Sequence, residues 1–150
     1  MAHILTKDTF DSFLISEVKI FGKATLHLTG VSSFSDSSKE EDERGYVTYG
    51  QVRPVCLEMI KGQQIPESFT FMFLLPTKEL ETFLDNTDST LQSFDVENLS
   101  FLVRFKDNEL TLTTGSAFKI FTMDKSINTA WDKWVEDFCT QSGISFEEIL

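Results

Sequence analysis

Two histidines, two cysteines and twenty-four carboxylates are the chain's chemical repertoire, and their spacing decides what they can do. His3 and His27 have no partner at metal-ligand or triad spacing, and two histidines cannot build a three-histidine zinc site. His27 stands between Leu26 and Leu28 in a predicted strand, while His3 is expected at a frayed end. Cys56 and Cys139 each fall inside a predicted helix with no Cys-x-x-Cys spacing, which reads as two reduced, buried, small apolar residues. Thr113-Thr114-Gly115-Ser116 faintly matches the Lys-Thr-Gly strand of serine acyl-transferring enzymes, yet the Lys is missing and so is any Ser-x-x-Lys. Nucleophile-elbow, dinucleotide and P-loop motifs are missing as well. Asp132 and Glu136, at i and i+4, share the helix face opposite Trp131 and Trp134, which is the solvated face. Asp8, Asp11 and Asp124 read as caps. No catalytic residue, metal site or cofactor is called for, and the reading leans away from an enzyme.

Binding is the other chemistry these residues can serve. A net charge of −11 repels nucleic acid and anionic lipid at long range, so a protein is the expected partner and a membrane is not. Nucleic acid stays open only through a local basic face. Residues 99–125 carry net +1, against −8 for 1–98 and −4 for 126–150. There Arg104, Lys106 and Lys119 are out of phase with the main apolar face, and Lys125 lies just beyond, so together they are expected to form a small basic patch on an acidic body. Tyr46 and Tyr49 before the first long helix, with Phe34 in a polar loop, are candidate aromatic anchors.

The elements that must carry these residues follow from periodicity. Asp8 to Phe13 reads as a helical turn, then Phe13–Phe21 and Ala24–Val31 as a hairpin around Gly22-Lys23. Residues 32–45, acidic and poor in apolar side chains, read as a mobile loop. Val52, Val55, Cys56, Met59 and Ile60 recur at helical spacing over about 50–61, with Gly62 as the stop. Ser68–Leu75 is apolar on both sides, as a central strand is. Pro76 ends it, and Thr77 is placed to cap a helix presenting Leu80, Phe83 and Leu84. Leu99, Phe101, Val103 and Phe105 alternate with polar residues up to an Asp107-Asn108 turn, and Leu110 and Leu112 alternate on the return. A Gly115-Ser116 corner and a further strand over Phe118–Met123 are expected next. Ile127, Ala130, Trp131, Trp134, Val135 and Phe138 make the strongest helical stripe, capped by Asp124 or Ser126 and stopped at Gly143. Ser145 to Glu148 matches a capping box with room for one turn.

These elements predict an α+β fold in one domain over 1–150: a mainly antiparallel sheet built from hairpins, with three to four helices packed on it. Fifteen phenylalanines supply the core. At an offset of 85, Leu14, Val18, Ile20, Thr29 and Gly30 align with Leu99, Val103, Phe105, Thr114 and Gly115, an internal duplication in outline. The alternating leucines of the second strands, Leu26 and Leu28 against Leu110 and Leu112, are out of register by one. The start has no basic n-region or long apolar stretch, which points to the cytoplasm.

Two resemblances complete the reading. The segments Asp8 to Glu17, Val52 to Cys56, Leu57 to Gly62 and above all Leu110 to Trp131 resemble a small bacterial family of unknown function. That resemblance implies a stand-alone cytoplasmic protein and supplies no activity or site residues. The order of elements over Phe69–Met123 is similar to half of a DNA sliding-clamp domain, which implies DNA association. The acidic helix with Glu79, Glu81 and Asp85 departs from that pattern. Function therefore reads as a non-enzymatic interaction or accessory module, acting through the hairpin face or the 32–49 segment, with a clamp-like DNA-associated protein as the alternative and an enzyme of unknown class third. Oligomeric state is not legible.

Overall fold

The strands of the sheet turn one face of rings and branched chains to the core, while the outer face mixes hydroxyls and charges with apolar side chains such as Met72, Leu74 and Leu102. In the computed structural model, which describes residues 2–31, 44–61 and 66–149, these strands are β1 (Leu14–Phe21), β2 (Thr25–Thr29), β3 (Ser68–Leu74), β4 (Val96–Lys106) and β5 (Glu109–Phe118). They form one antiparallel sheet in the order β2-β1-β3-β4-β5. The helices are α1 (Ala2–Leu5), α2 (Tyr49–Lys61), α3 (Thr77–Asp85) and α4 (Ser126–Gln141). The α+β architecture expected from the sequence is the observed one.

Register explains the core. Ile20, Phe69 and Phe105 share one row, and Val18, Phe71 and Val103 the next. Ile15, Phe73 and Phe101 follow on the same side. All nine are buried, joined by Phe10, Phe13, Tyr49, Leu80, Phe83 and Trp131 from the segments covering that face. A stacked run of Trp131, Trp134 and Phe138 along α4 meets Phe13 edge-on at Trp134 and Phe138. Aromatic pairs of these geometries add to simple area burial. Cys56 and Cys139 are both free and buried, and burial pushes the Cys56 thiol up to about 11.

The two hairpins flank β3, one on each side, and their glycines match as well as their order. Gly30 packs on Ile15 and Gly115 on Ser100, positions related by the same 85-residue offset as the glycines themselves. The one-residue slip between the leucine pairs has a cause in turn length. The first hairpin turns through Gly22, Lys23 and Ala24, whereas the second uses only Asp107 and Asn108, both at positive φ as a tight two-residue turn requires. A bulge between Ile15 and Glu17 restores the alignment at Gly30.

Several expectations need correction. Gly115 is no corner: it pairs with Ser100 in mid-strand, and β5 runs through it to Phe118. The strand expected over Phe118–Met123 does not form, because β4 offers no pairing partner beyond Val96; the Lys119 N–H donates to Asp95 O and the ladder ends there. The clamp-like order over Phe69–Met123 thereby lacks its last strand. Pro76, not Thr77, occupies the N-cap of α3. Asp8 to Phe13 makes successive turns closed by Asp11 N–H on Asp8 O and Phe13 N–H on Phe10 O, and the N-terminus, expected to be frayed, carries α1 with Ile4 and Leu5 buried. The capping-box residues after α4 form no helix. Gly143 does end α4, at φ 77°, with Ile144 N–H donating to Cys139 O and Gly143 N–H to Thr140 O in a Schellman closure. The acidic loop read over 32–45, with Phe34, lies outside the described residues except for Arg44 and Gly45.

Candidate interaction surface

The sequence-predicted binding residues do not converge. Arg104 and Lys106 project from β4 on the face of the sheet away from the core, in register with Thr70 and Ser68 of β3. Lys119 lies level with Asp95, nine positions from Arg104 along the ladder, which at roughly 3.4 Å per residue is about 30 Å. Lys125 sits at the start of α4, on the Lys119 side. Arg104 and Lys106 therefore belong to one site and Lys119 and Lys125 to another, which corrects the single basic patch. Alternation places a residue on a face but cannot say how far along the strand two charges stand.

The tyrosines separate too. Tyr46 is half-buried and bridges to Val31. Tyr49 is 0% exposed, stacks edge-on with Phe71 and Phe73, and donates its hydroxyl to Ile4 O at 2.8 Å. It is a core residue that ties α2 to α1, and burial drives its hydroxyl pKa far up. Arg53 on the same helix clamps Asp11 with two hydrogen bonds, 2.8 and 3.1 Å, which raises the guanidinium pKa further. The first contact fastens α2 to α1 and the second to the turns that follow it. Neither is offered to a ligand.

The catalytic candidates stay apart as well. His3 bonds Thr9, and His27 lies 3.3 Å from Glu17. The His27 contact, with Lys19 beside it, holds Glu17 below the usual carboxylate range. Among the described residues no group of three His, Cys, Asp or Glu side chains is placed to hold a metal ion, and no helix is long and apolar enough to cross a membrane.

What the sequence reading missed is the segment 119–125 between β5 and α4. Having no strand to pair with, it turns its apolar side chains outward: Phe121 is 91% exposed and Met123 82%, with Ile120 at 45%. Phe94, 69% exposed, sits in the short 3₁₀ turn Ser93–Asp95 to which Lys119 is bonded. Lys119 and Lys125 flank the segment and are exposed. Large apolar side chains clustered in the open, rimmed by charge, mark interaction sites. The one available signal was the sequence Lys-Ile-Phe-Thr-Met-Asp-Lys itself, whose apolar residues also suit a strand.

Both ends of this segment are fixed. At the β5 end the Lys119 N–H bond to Asp95 O holds it. At the α4 end Asp124 Oδ1 accepts from Ser126 N–H at 2.9 Å, while Asp124 N–H donates to Thr122 Oγ1. The Ser126 bonds hold the Asp124 carboxyl below its ordinary pKa. Behind the segment, α4 is bolted to the sheet by Asn128 on Ser116, the Trp131 indole N–H on Ser100 O, and Thr114 on Asp132. Phe121 and Met123 are thus displayed from anchored ends, which lowers the ordering cost of binding.

Residues 3–147 match a family described as a family of unknown function, DUF5721. No curated protein and no solved structure matches the chain.

Proposed function

We propose that this chain, which belongs to the family of unknown function DUF5721, is a protein-binding accessory module whose docking element is the segment 119–125. The observation that carries this reading is the outward display of Phe121 and Met123 from a segment fixed at both ends. Exposed aromatic and Met side chains are the residue types that anchor protein interfaces. The net charge of −11 favours a protein partner over a polyanion. A cytoplasmic setting fits the two free cysteines.

A double variant, Phe121→Asp with Met123→Asp, tests this in the native cell. Because both side chains are exposed, the melting temperature is expected to stay within a few degrees of wild type. Proteins co-captured with the wild-type chain are expected to fall at least about tenfold with the variant, the effect of losing roughly 1.4 kcal/mol of binding. Identical captured sets from the two chains would contradict the reading.

A further inference from the structure

The segment that displays Phe121 has its chemical complement on the same molecule, at the other end of β5. A groove of about 770 Å³ runs between the first half of β5, the second half of α4 and the residues after it. Its walls include the exposed side chains of Leu110, Leu112 and Phe146. Among the described residues five carboxylates line it, Glu109, Glu147 and Glu148 among them, and no Lys or Arg does. An apolar floor with an acidic rim suits an apolar segment flanked by lysines. Within one chain the apolar end of the groove, at Leu110, stands eight residues before Phe118, about 27 Å at roughly 3.4 Å per residue, so the anchored segment does not reach it.

The edge between them points to how they meet. β5 is an outer strand of ten residues, and Glu109–Phe118 contains no Lys, Arg or Pro. Charges and prolines are the usual guards of such an edge. The opposite edge, β2, is only five residues long. Pairing β5 antiparallel with its own copy about a two-fold axis sets the Phe118 end of each strand against the Glu109 end of the other. Each Phe121 segment then lies at the acidic groove of its mate. One symmetry operation satisfies the edge and both complementary surfaces, as an isologous interface requires.

We infer that the partner of the 119–125 segment is a second copy of this chain, docked through a continuous β5–β5 sheet with Phe121 and Met123 in the mate's groove. This rests on the reading of that segment as a docking element. Sedimentation of the full chain from about 1 μM to about 1 mM is expected to show a species of twice the 17.1 kDa chain mass. Lys119→Glu with Lys125→Glu, and separately Glu147→Lys with Glu148→Lys, are each expected to weaken the dimer at least about tenfold. Mixing the two reversed-charge proteins is expected to restore it, because every loop then faces a groove of opposite sign. A chain that stays monomeric throughout, or a dimer indifferent to both reversals, would overturn the inference. If the chain is monomeric while Phe121-dependent capture of another protein persists, the docking reading stands and the second-copy assignment falls. If both are lost, both fall.

Discussion

Gly30→Ala is expected to yield little or no folded protein. A Cβ at Gly30 would stand 1.6 Å from Ile15 O, 2.6 Å from its carbonyl carbon and 2.9 Å from its Cγ2. The two closest atoms are backbone, so no side-chain movement relieves the clash. Nor can the backbone retreat readily, because Gly30 N–H donates to Ser16 O and Gly30 O accepts from Val47 N–H, both at 2.9 Å, while Ile15 N–H donates to Val47 O. Relief means breaking the bulge that joins β1, β2 and the 46–48 segment. Overpacking in a close-packed interior already costs about 1–3 kcal/mol, and a conflict this deep is expected above about 4 kcal/mol. Against a total stability of about 5–15 kcal/mol, chemical denaturation of any soluble Gly30→Ala protein will show either a much lowered midpoint or no cooperative transition. A midpoint within experimental error of wild type would contradict the placement of Gly30.

Phe73→Ala is the second severe change. Phe73 is fully buried on β3, the central strand, between Ile15 of β1 and Phe101 of β4. Its ring stacks on Phe101 and Phe10 at 5.0 and 5.2 Å and meets Tyr49 edge-on at 5.1 Å. Truncation removes a ring that three layers of neighbours are shaped around, so the site collapses poorly and the expected loss is about 3–5 kcal/mol. Phe73→Leu keeps most of the volume and is expected to cost less than about 1.5 kcal/mol. Urea titration separates the two, with an unchanged slope and a shifted midpoint. Phe121→Ala is the internal control: its ring is in the open, and the expected change is within about 0.5 kcal/mol.

The strands were legible because their alternation is close to unbroken: Leu99, Phe101, Val103 and Phe105 all face inward and Ser100, Leu102 and Arg104 all face away. The stripe from Ile127 to Phe138 fixed α4 for the same reason. Periodicity fails where the deciding contact is long-range. Phe118 to Met123 has a strand's composition, yet a strand needs a neighbour, and β4 has ended by then. Tyr49 reads as a surface aromatic beside a polar loop, until Phe71, Phe73 and Ile4 O close around it. The basic residues illustrate the same limit. Arg104 and Lys106 are neighbours because two residues span one pleat, whereas Lys119 is close to neither because a hairpin's length intervenes. The surface displaying Phe121 was hidden behind that misread strand.

Site-specific photo-crosslinking tests the central claim most directly, with a photoreactive phenylalanine in place of Phe121 and, in a second chain, in place of the exposed Lys78 on α3 as control. In the native cell the Phe121 probe is expected to give one or a few discrete adducts, with this chain itself among the crosslinked products, while the Lys78 probe gives only diffuse background. Equal adduct patterns from the two positions, or none from Phe121, would contradict the claim that the segment between β5 and α4 is where this protein meets its partner.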